Sequence, residues 1–201
     1  MRRSLLGLLT VVAITGLVLT SGCQRATELR VLSMNKGNLL RSDIADYYQY
    51  FDKVDSETVT LSEYPSDSVP VELQYMEIGA GLPTWTPYVA LLNKATIKYV
   101  GTTEAGYQYA PVNIPLSQSI TADKTGKPVT FYVTVASPNF KDTYFSDAVS
   151  GDPNDIGLLD LVTATVTFSG YDSVAATQVS AVGLLQIQFG NFYDDPTKFG
   201  K

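Results

Sequence analysis

The sequence contains no histidine and only one cysteine, Cys23. Without these side chains, the chain cannot supply a Ser-His-Asp or Cys-His catalytic group, a histidine-ligated zinc site, an iron–sulfur cluster, a c-type haem attachment or an intrachain disulfide. Basic residues are also few: 14 Lys and Arg stand against 20 Asp and Glu, and the formal net charge is −6 at pH 7. Because binding to nucleic acid needs a concentrated positive surface, we expect no nucleic-acid partner.

Apolar and aromatic residues, in contrast, are plentiful. Of the 201 residues, 45% are hydrophobic and 17% charged, with 13 Tyr and 8 Phe. Such a composition is sufficient to bury one hydrophobic core and is unlike that of a disordered chain. The length fits one domain or at most two small ones, and since no repeat or low-complexity linker divides it, we expect one core.

The first residues have the pattern of an export signal. Two basic residues, Arg2 and Arg3, precede an apolar run from Leu5 to Leu19. As a helix this run would reach about 22 Å, less than the roughly 30 Å of a bilayer core. We therefore predict a signal peptide over residues 1–22, whose removal would take the formal net charge to −8.

The segment Leu19-Thr20-Ser21-Gly22-Cys23 resembles the lipobox of bacterial lipoproteins. Members of that family usually carry leucine three residues before the cysteine, where this chain has Thr20. The resemblance implies that Cys23 carries a diacylglycerol thioether and an acylated amine such as a palmitoyl amide, and so anchors the protein in a membrane. The alternative is an ordinary secretory peptide or an uncleaved anchor, with Cys23 a buried thiol.

The resemblance also implies a location in the bacterial cell envelope. Gln24 follows the cysteine, and in some bacteria the absence of aspartate there favours the outer membrane. Arg2 and Arg3 loosely resemble a twin-arginine signal, but the short basic region and strong apolar run favour the general secretory route. Residues 23–28 are predicted to form the lipidated N-terminus and a tether of at most about 17 Å.

Residues 29–201 are predicted to form one all-β domain. Apolar and polar residues alternate in most segments, which is typical of strands with one buried face. Pro115 marks one of these strands as an edge strand. Seven or eight such strands favour an antiparallel immunoglobulin-like β-sandwich, with a jelly roll as the alternative. The alternating or strand-like segments are 29–34, 58–62, 71–75, 95–100, 112–117, 130–135, 162–168 and 179–189, the last two forming a hairpin around a Gly170–Asp172 break.

One segment has helical spacing instead. Ile44, Tyr47, Tyr48 and Phe51 fall at positions i, i+3, i+4 and i+7, and Ser42 precedes them as an N-cap candidate. The pattern predicts a short amphipathic helix, although three tyrosines suit a strand or a loop equally well.

Two stretches of the body resemble small β-sandwich envelope lipoproteins of unassigned activity. They are Ser33–Asn38 and the closing run from Val166 to Phe192. This likeness covers about a quarter of the mature chain and contains no chemical motif, so it implies only fold and location.

An acidic chain without histidine can still bind calcium through carboxylate and carbonyl oxygens. The candidate ligands are Asp147, Asp152, Asn154 and Asp155. The segment fails the EF-hand template, since the twelfth position counted from Asp152 is Thr163 rather than glutamate. The alternative is a solvated loop, which uses the same residue types.

Exposed aromatic rings would offer flat faces to sugars or partner proteins. Trp85 lies between Pro83 and Pro87, and Tyr107 and Tyr109 lie in another segment predicted to be a loop. These three are the candidate ligand-binding residues, and the alternative is that the rings fill the core.

No pair of nearby acidic residues makes a case for a glycosidase-like mechanism, in which two carboxyl groups flank a bond. The sequence therefore predicts a non-enzymatic lipoprotein without a cofactor other than its lipid, and with calcium as an open option. Its expected partners are a membrane and another envelope protein. Recognition of a surface glycan is the first alternative, and a carboxylate-dependent hydrolase is the second.

Overall fold

The computed structural model describes residues 26–52, 57–78, 87–101, 108–122, 126–146 and 157–192. In this part of the chain there are ten strands and one short α-helix, α1 (Pro138–Phe145), with a 3₁₀ turn at Asn35–Gly37. The strands are β1 (Ala26–Met34), β2 (Leu40–Asp43), β3 (Asp46–Asp52), β4 (Glu57–Glu63), β5 (Asp67–Ile78), β6 (Val89–Gly101), β7 (Val112–Thr121), β8 (Val129–Ala136), β9 (Gly157–Asp172) and β10 (Gln178–Asn191).

The strands form two sheets that pack face to face. One has the order β1-β5-β8, the other has the order β2-β10-β9-β6-β7, and β3 pairs with β4 in a separate two-stranded sheet. All pairs are antiparallel except β2, which runs parallel to β10. The predicted all-β sandwich is confirmed. The order follows the immunoglobulin-like Greek key, with β1, β5 and β8 as strands A, B and E, and β7, β6, β9 and β10 as strands C′, C, F and G.

The β9–β10 hairpin carries the clearest alternation. Val162, Ala164, Val166 and Phe168 are buried on the inner face, as predicted. The predicted break at Gly170–Asp172 is wrong, because β9 continues to Asp172 and pairs there with β6 and β10. Local sequence suggested a turn, but pairing on both sides of β9 keeps these residues extended.

The edge position of the proline-containing strand is confirmed. Strand β7 contains Pro115 and lies at the end of the five-stranded sheet, paired with β6 alone among the described strands. Proline has no N–H to donate to a second neighbour, so the edge is where a sheet tolerates it.

The short helix predicted from Ile44 to Phe51 is wrong. Residues 46–52 form β3, whose backbone pairs with β4 from Asp46 opposite Glu63 to Asp52 opposite Glu57. Ser42 belongs to β2 and does not cap a helix. An eight-residue helix is marginal by itself, and tyrosine and phenylalanine favour strands when a partner strand is present. With β2 and β3, the described chain has ten strands rather than seven or eight.

The one α-helix of the described chain was not predicted from the sequence. It begins after Ser137, whose hydroxyl accepts a hydrogen bond from Phe140 N, and Pro138 takes its first position. A serine cap followed by proline is a start signal that sequence analysis could have used.

The strand bounds define two ends of the sandwich, called here the near end and the far end. At the near end, β1 begins at Ala26, three residues after Cys23, and β9 ends at Asp172. At the far end, β5 begins at Asp67 and β6 ends at Gly101. Strand β1 thus includes residues 26–28, which belong to the predicted tether, residues 23–28. The predicted leader, residues 1–22, lies outside the described part of the chain, and within that part no helix is long and apolar enough to cross a membrane.

Candidate functional site

Most of the predicted site residues lie outside the described residues. Of the aromatic candidates, only Tyr109 is described. The segment with Trp85 joins the near end of β5 to the near end of β6, whereas the segment with Tyr107 leaves the far end of β6. The residues outside are Cys23, Trp85, Tyr107, Asp147, Asp152, Asn154 and Asp155.

The ring of Tyr109 is buried, with 9% of its surface exposed. Its centroid lies 5.6 Å from that of Phe140 and 5.1 Å from that of Tyr144, both on α1. Its hydroxyl donates to Asp160 Oδ2 at 2.6 Å. The prediction that Tyr109 presents an exposed ring is wrong, because α1 adds aromatic side chains that enclose it at the far end.

A buried lysine lies next to this aromatic cluster. The side chain of Lys141, on α1, is 0% exposed. Its Nζ lies 2.7 Å from Asp67 Oδ2 and donates to the main-chain carbonyl of Asp43. Ser42 Oγ donates to the same oxygen of Asp67 at 2.6 Å. This network joins α1 to β2 and β5, one strand from each sheet, and sequence analysis missed all of it.

The near end has a second buried network. The Tyr75 hydroxyl donates to the Asp172 carboxylate and lies 2.8 Å from Thr27 Oγ1. The other oxygen of Asp172 accepts from Val174 N and Ala175 N, both at 2.7 Å. Asp172 thus holds the β9–β10 turn and ties it to the opposite sheet through Tyr75.

Burial raises the pKa of two tyrosines. For Tyr75 the hydrogen bond to Asp172 adds to the effect of burial on the pKa. For Tyr99, burial is the main cause of the raised pKa, and its hydroxyl donates to the Val135 carbonyl at 2.7 Å. If either hydroxyl ionised, the buried phenolate would lose its hydration, and none of the contacts described for it is with a cation. Burial therefore favours the neutral form of both side chains.

We expect the free energy of unfolding to fall in alkaline solution. Tyrosine in an unfolded chain ionises with a pKa of about 10, and the pKa values of Tyr75 and Tyr99 in the folded protein are higher. Their stabilisation is therefore complete below about pH 10 and is lost as the pH rises through the folded values. Denaturant unfolding at several pH values measures this. A double variant, Tyr75→Phe with Tyr99→Phe, should flatten the alkaline decline, whereas Tyr132→Phe, at an exposed ring, should not. An unchanged decline in the double variant would contradict the assignment.

Four of the cavities on the described surface bear on catalysis. One of about 380 Å³ lies at the near end between β1 and β10, beside Tyr88. Another, about 210 Å³, opens between β7 and β8 and is lined mainly by apolar side chains, among them Tyr99, Ile114 and Phe140. Among the linings of these two and of two further cavities, of about 240 Å³ each, there is one carboxyl side chain, Glu28, whereas a glycosidase-like site needs two.

The buried charged side chains of the described residues are used in internal contacts. Asp160 and Asp172, both buried, lie at opposite ends of β9, and each binds a tyrosine hydroxyl. Within the described ranges, no group of three or more acidic or cysteine side chains is placed to hold a metal ion. The four predicted calcium ligands are outside those ranges, so the calcium hypothesis stays a prediction. These hydrogen bonds and the Lys141–Asp67 ion pair stabilise the two ends of the sandwich.

Comparisons of the chain with protein-family models, with curated proteins and with solved structures found no match.

Proposed function

We propose that this protein is a lipid-anchored, non-enzymatic binding module of the bacterial cell envelope. The support for the anchor is in the sequence: a basic start, an apolar run too short to span a bilayer, and Ser21-Gly22 before the only cysteine. Two or more acyl chains on one residue give stable membrane attachment. Cys23 is the residue that would carry them.

The observation that carries the proposal is the small number of residues between Cys23 and the described sheet. Strand β1 begins at Ala26, so Gln24 and Arg25 alone separate the cysteine from the sheet. Three residue steps span at most about 10 Å. The anchor would hold the near end of the sandwich at the membrane surface and direct the far end, with α1, toward other envelope components.

The buried ionisable groups support a role without catalysis. Lys141 is paired with Asp67, and Asp160 and Asp172 each accept a hydrogen bond from a tyrosine hydroxyl. Catalytic groups are usually held in a cleft with access to substrate, whereas the side chains of Lys141, Asp160 and Asp172 are enclosed. The proposed mechanism is therefore tethering followed by recognition of another envelope protein.

Metabolic labelling of the full-length protein with a fatty acid tests the anchor. We expect the wild-type chain to incorporate the label and to fractionate with membranes, and Cys23→Ser to lose both properties. Ser21→Ala, which keeps a small residue in the lipobox, is the matched control and should behave as the wild type. Label that persists in Cys23→Ser, or a native chain that still begins with Met1, would overturn the proposal.

The recognition half is tested separately on the same membranes. Chemical cross-linking followed by mass spectrometry should give a discrete adduct between the wild-type protein and one envelope protein. Because Cys23→Ser keeps the folded body, the purified variant should still form that adduct when mixed with the partner. Loss of labelling and loss of the adduct are independent results, so the two halves can fail separately.

A further inference from the structure

An amine and a carboxyl group, those of Lys141 and Asp67, are held in contact at the far end of the sandwich. The Lys141 side chain is 0% exposed, and its Nζ lies 2.7 Å from Asp67 Oδ2. Because a carboxyl C–O bond is about 1.2 Å long, Nζ is at most about 4 Å from Cγ of Asp67. Reacting atoms in a productive geometry are roughly 3–3.5 Å apart. Only a small shift therefore separates this contact from the geometry in which an amide bond forms.

Two neighbouring groups orient the pair. Lys141 Nζ also donates a hydrogen bond to the main-chain carbonyl of Asp43, which fixes the position of the nitrogen. Ser42 Oγ donates to Asp67 Oδ2 at 2.6 Å, so this oxygen accepts from a hydroxyl as well as from the lysine. A hydrogen-bond donor on a carboxyl oxygen stabilises the negative charge that develops there when a nucleophile attacks the carbon. Ser42 is therefore placed to assist such an attack.

The surroundings of the lysine exclude water. On α1, Lys141 follows Phe140 and comes one turn before Phe145, and both rings are buried. Ile44, next to the residue whose carbonyl binds Nζ, is fully buried as well. Burial removes the hydration that stabilises an ammonium and a carboxylate, so an enclosed ion pair adds little net stability. An enclosed amine also has little competition from water for the carboxyl carbon.

We infer that Lys141 and Asp67 join covalently, through an amide bond between Nζ and Cγ. One proton passes from Nζ to Oδ2, the neutral amine attacks Cγ, and the bond between Cγ and Oδ2 breaks. Of the three ammonium protons, two leave with Oδ2 as water, and one stays on the amide nitrogen. The ion pair thus supplies every atom of the amide and of the water, and the reaction needs no other reactant.

The folded geometry favours this condensation. In dilute solution, water opposes amide formation between a separate amine and carboxylate. Two groups held in contact react as if their concentration were roughly 10⁵–10⁸ M, which offsets that effect. In the unfolded chain, residues 67 and 141 are far apart in sequence, and the advantage is lost. We therefore expect the bond to form only after folding.

The amide supplies a cross-link of a kind that cysteine cannot provide here. The only cysteine, Cys23, precedes the first strand, so no disulfide joins the two sheets. The amide ties the start of β5 to α1 and closes the chain between residues 67 and 141. A covalently closed long loop stabilises a fold by restricting the unfolded chain. The reaction occurs once per chain and uses no substrate, so it neither contradicts the non-enzymatic role proposed above nor depends on it.

Mass spectrometry of the folded, full-length protein tests the inference. We expect a tryptic digest of the wild type to contain a branched peptide with both Asp67 and Lys141, lighter than its two components together by one water molecule. Trypsin should not cleave after Lys141, because the amide removes the positive charge that this protease recognises. In a denaturing gel, the closed loop should give the wild type a mobility different from that of Asp67→Ala.

The matched control is Lys141→Arg. Arginine keeps a positive charge beside Asp67, but its guanidinium does not lose a proton and is not a nucleophile. The branched peptide and the loss of water should both disappear in this variant. Lys98→Arg, at an exposed lysine on β6, should retain both. Ser42→Ala keeps the two reacting groups and should slow formation of the bond after refolding by at least about tenfold.

Three results would each count against the cross-link. The first is a folded wild-type protein that yields both components separately, with normal cleavage after Lys141. The second is a loss of water that persists in Lys141→Arg, since this would indicate a succinimide at an aspartate. The third is an equal yield of the branched peptide from chains kept unfolded in urea. Because the wild type is itself measured, the test holds even if a variant does not fold.

Discussion

Replacing Asp67 by alanine is expected to lower the free energy of unfolding by about 3 kcal/mol, because the Lys141 ammonium would stay buried without its carboxylate. The ammonium would keep only its hydrogen bond to the Asp43 carbonyl among the contacts described above. Ser42 would lose the acceptor of its hydroxyl as well. Denaturant unfolding followed by circular dichroism measures the change.

Removing the lysine instead of the aspartate should lower the free energy of unfolding by less. In Lys141→Met, Asp67 keeps the Ser42 hydrogen bond, and its side chain is 19% exposed, so water can solvate the carboxylate. The double variant Asp67→Ala with Lys141→Met should be more stable than Asp67→Ala alone by about 1 kcal/mol or more, since no buried charge is left unpaired.

The exposed ion pair between Arg30 and Glu28 provides the control. Glu28→Ala removes an ion pair of the same type in solvent, and should leave the unfolding midpoint unchanged. If Asp67→Ala unfolds at the same denaturant concentration as Glu28→Ala, the buried pair does not have the role assigned to it.

Gly170→Ala is expected to destabilise the fold by about 3 kcal/mol, as inserted atoms do where the surroundings cannot move. A Cβ at this position would overlap the Leu91 carbonyl oxygen and lie 2.8 Å from Leu92 Cα. Both atoms belong to the backbone of β6, which pairs with β9 there. To relieve the clash, two central strands of the five-stranded sheet would have to separate.

Alanine substitutions at two other glycines, Gly157 and Gly183, are the controls for this prediction. At Gly157, the first residue of β9, an added Cβ would have no neighbouring atom within 4 Å, so Gly157→Ala should change stability by less than about 0.5 kcal/mol. At Gly183, a Cβ would meet the side chains of Met34 and Val31, which can adjust, so Gly183→Ala should fall between the two. Equal stability of Gly170→Ala and Gly157→Ala in thermal unfolding would contradict the close approach of β6 to β9.

The sequence predicted the strands well where one face is buried along a whole segment. The alternation in 162–168 and 130–135 corresponds to β9 and β8, and Pro115 marked an edge strand. Helical spacing from Ile44 to Phe51 was misleading because a pattern over eight residues does not reveal whether a partner strand is present. The start of α1 after Ser137 had a local signal, a serine followed by proline, that periodicity does not detect.

The burial of Tyr109 and Lys141 depends on contacts between residues far apart in the chain, which no local sequence pattern reveals. Tyr109 was predicted to be exposed because its neighbours in sequence are typical of a loop, whereas side chains of α1 bury it. Lys141 and the Asp43 carbonyl, which it contacts, are 98 residues apart in the chain. A lone lysine on a short helix is usually solvated, so its type and spacing gave no reason to expect a buried ion pair.

By itself, the sequence determined which chemistries are absent, which export signal the chain resembles, and where most strands run. These properties depend on residue types and on short-range periodicity, both of which can be read within a single segment. Only the tertiary structure decided that residues 46–52 form a strand, that Lys141 and Tyr109 are enclosed, and that β8 is left as an open edge among the described strands. Each of these results depends on which distant segments pair, and that choice minimises the free energy of the whole chain rather than of any one segment.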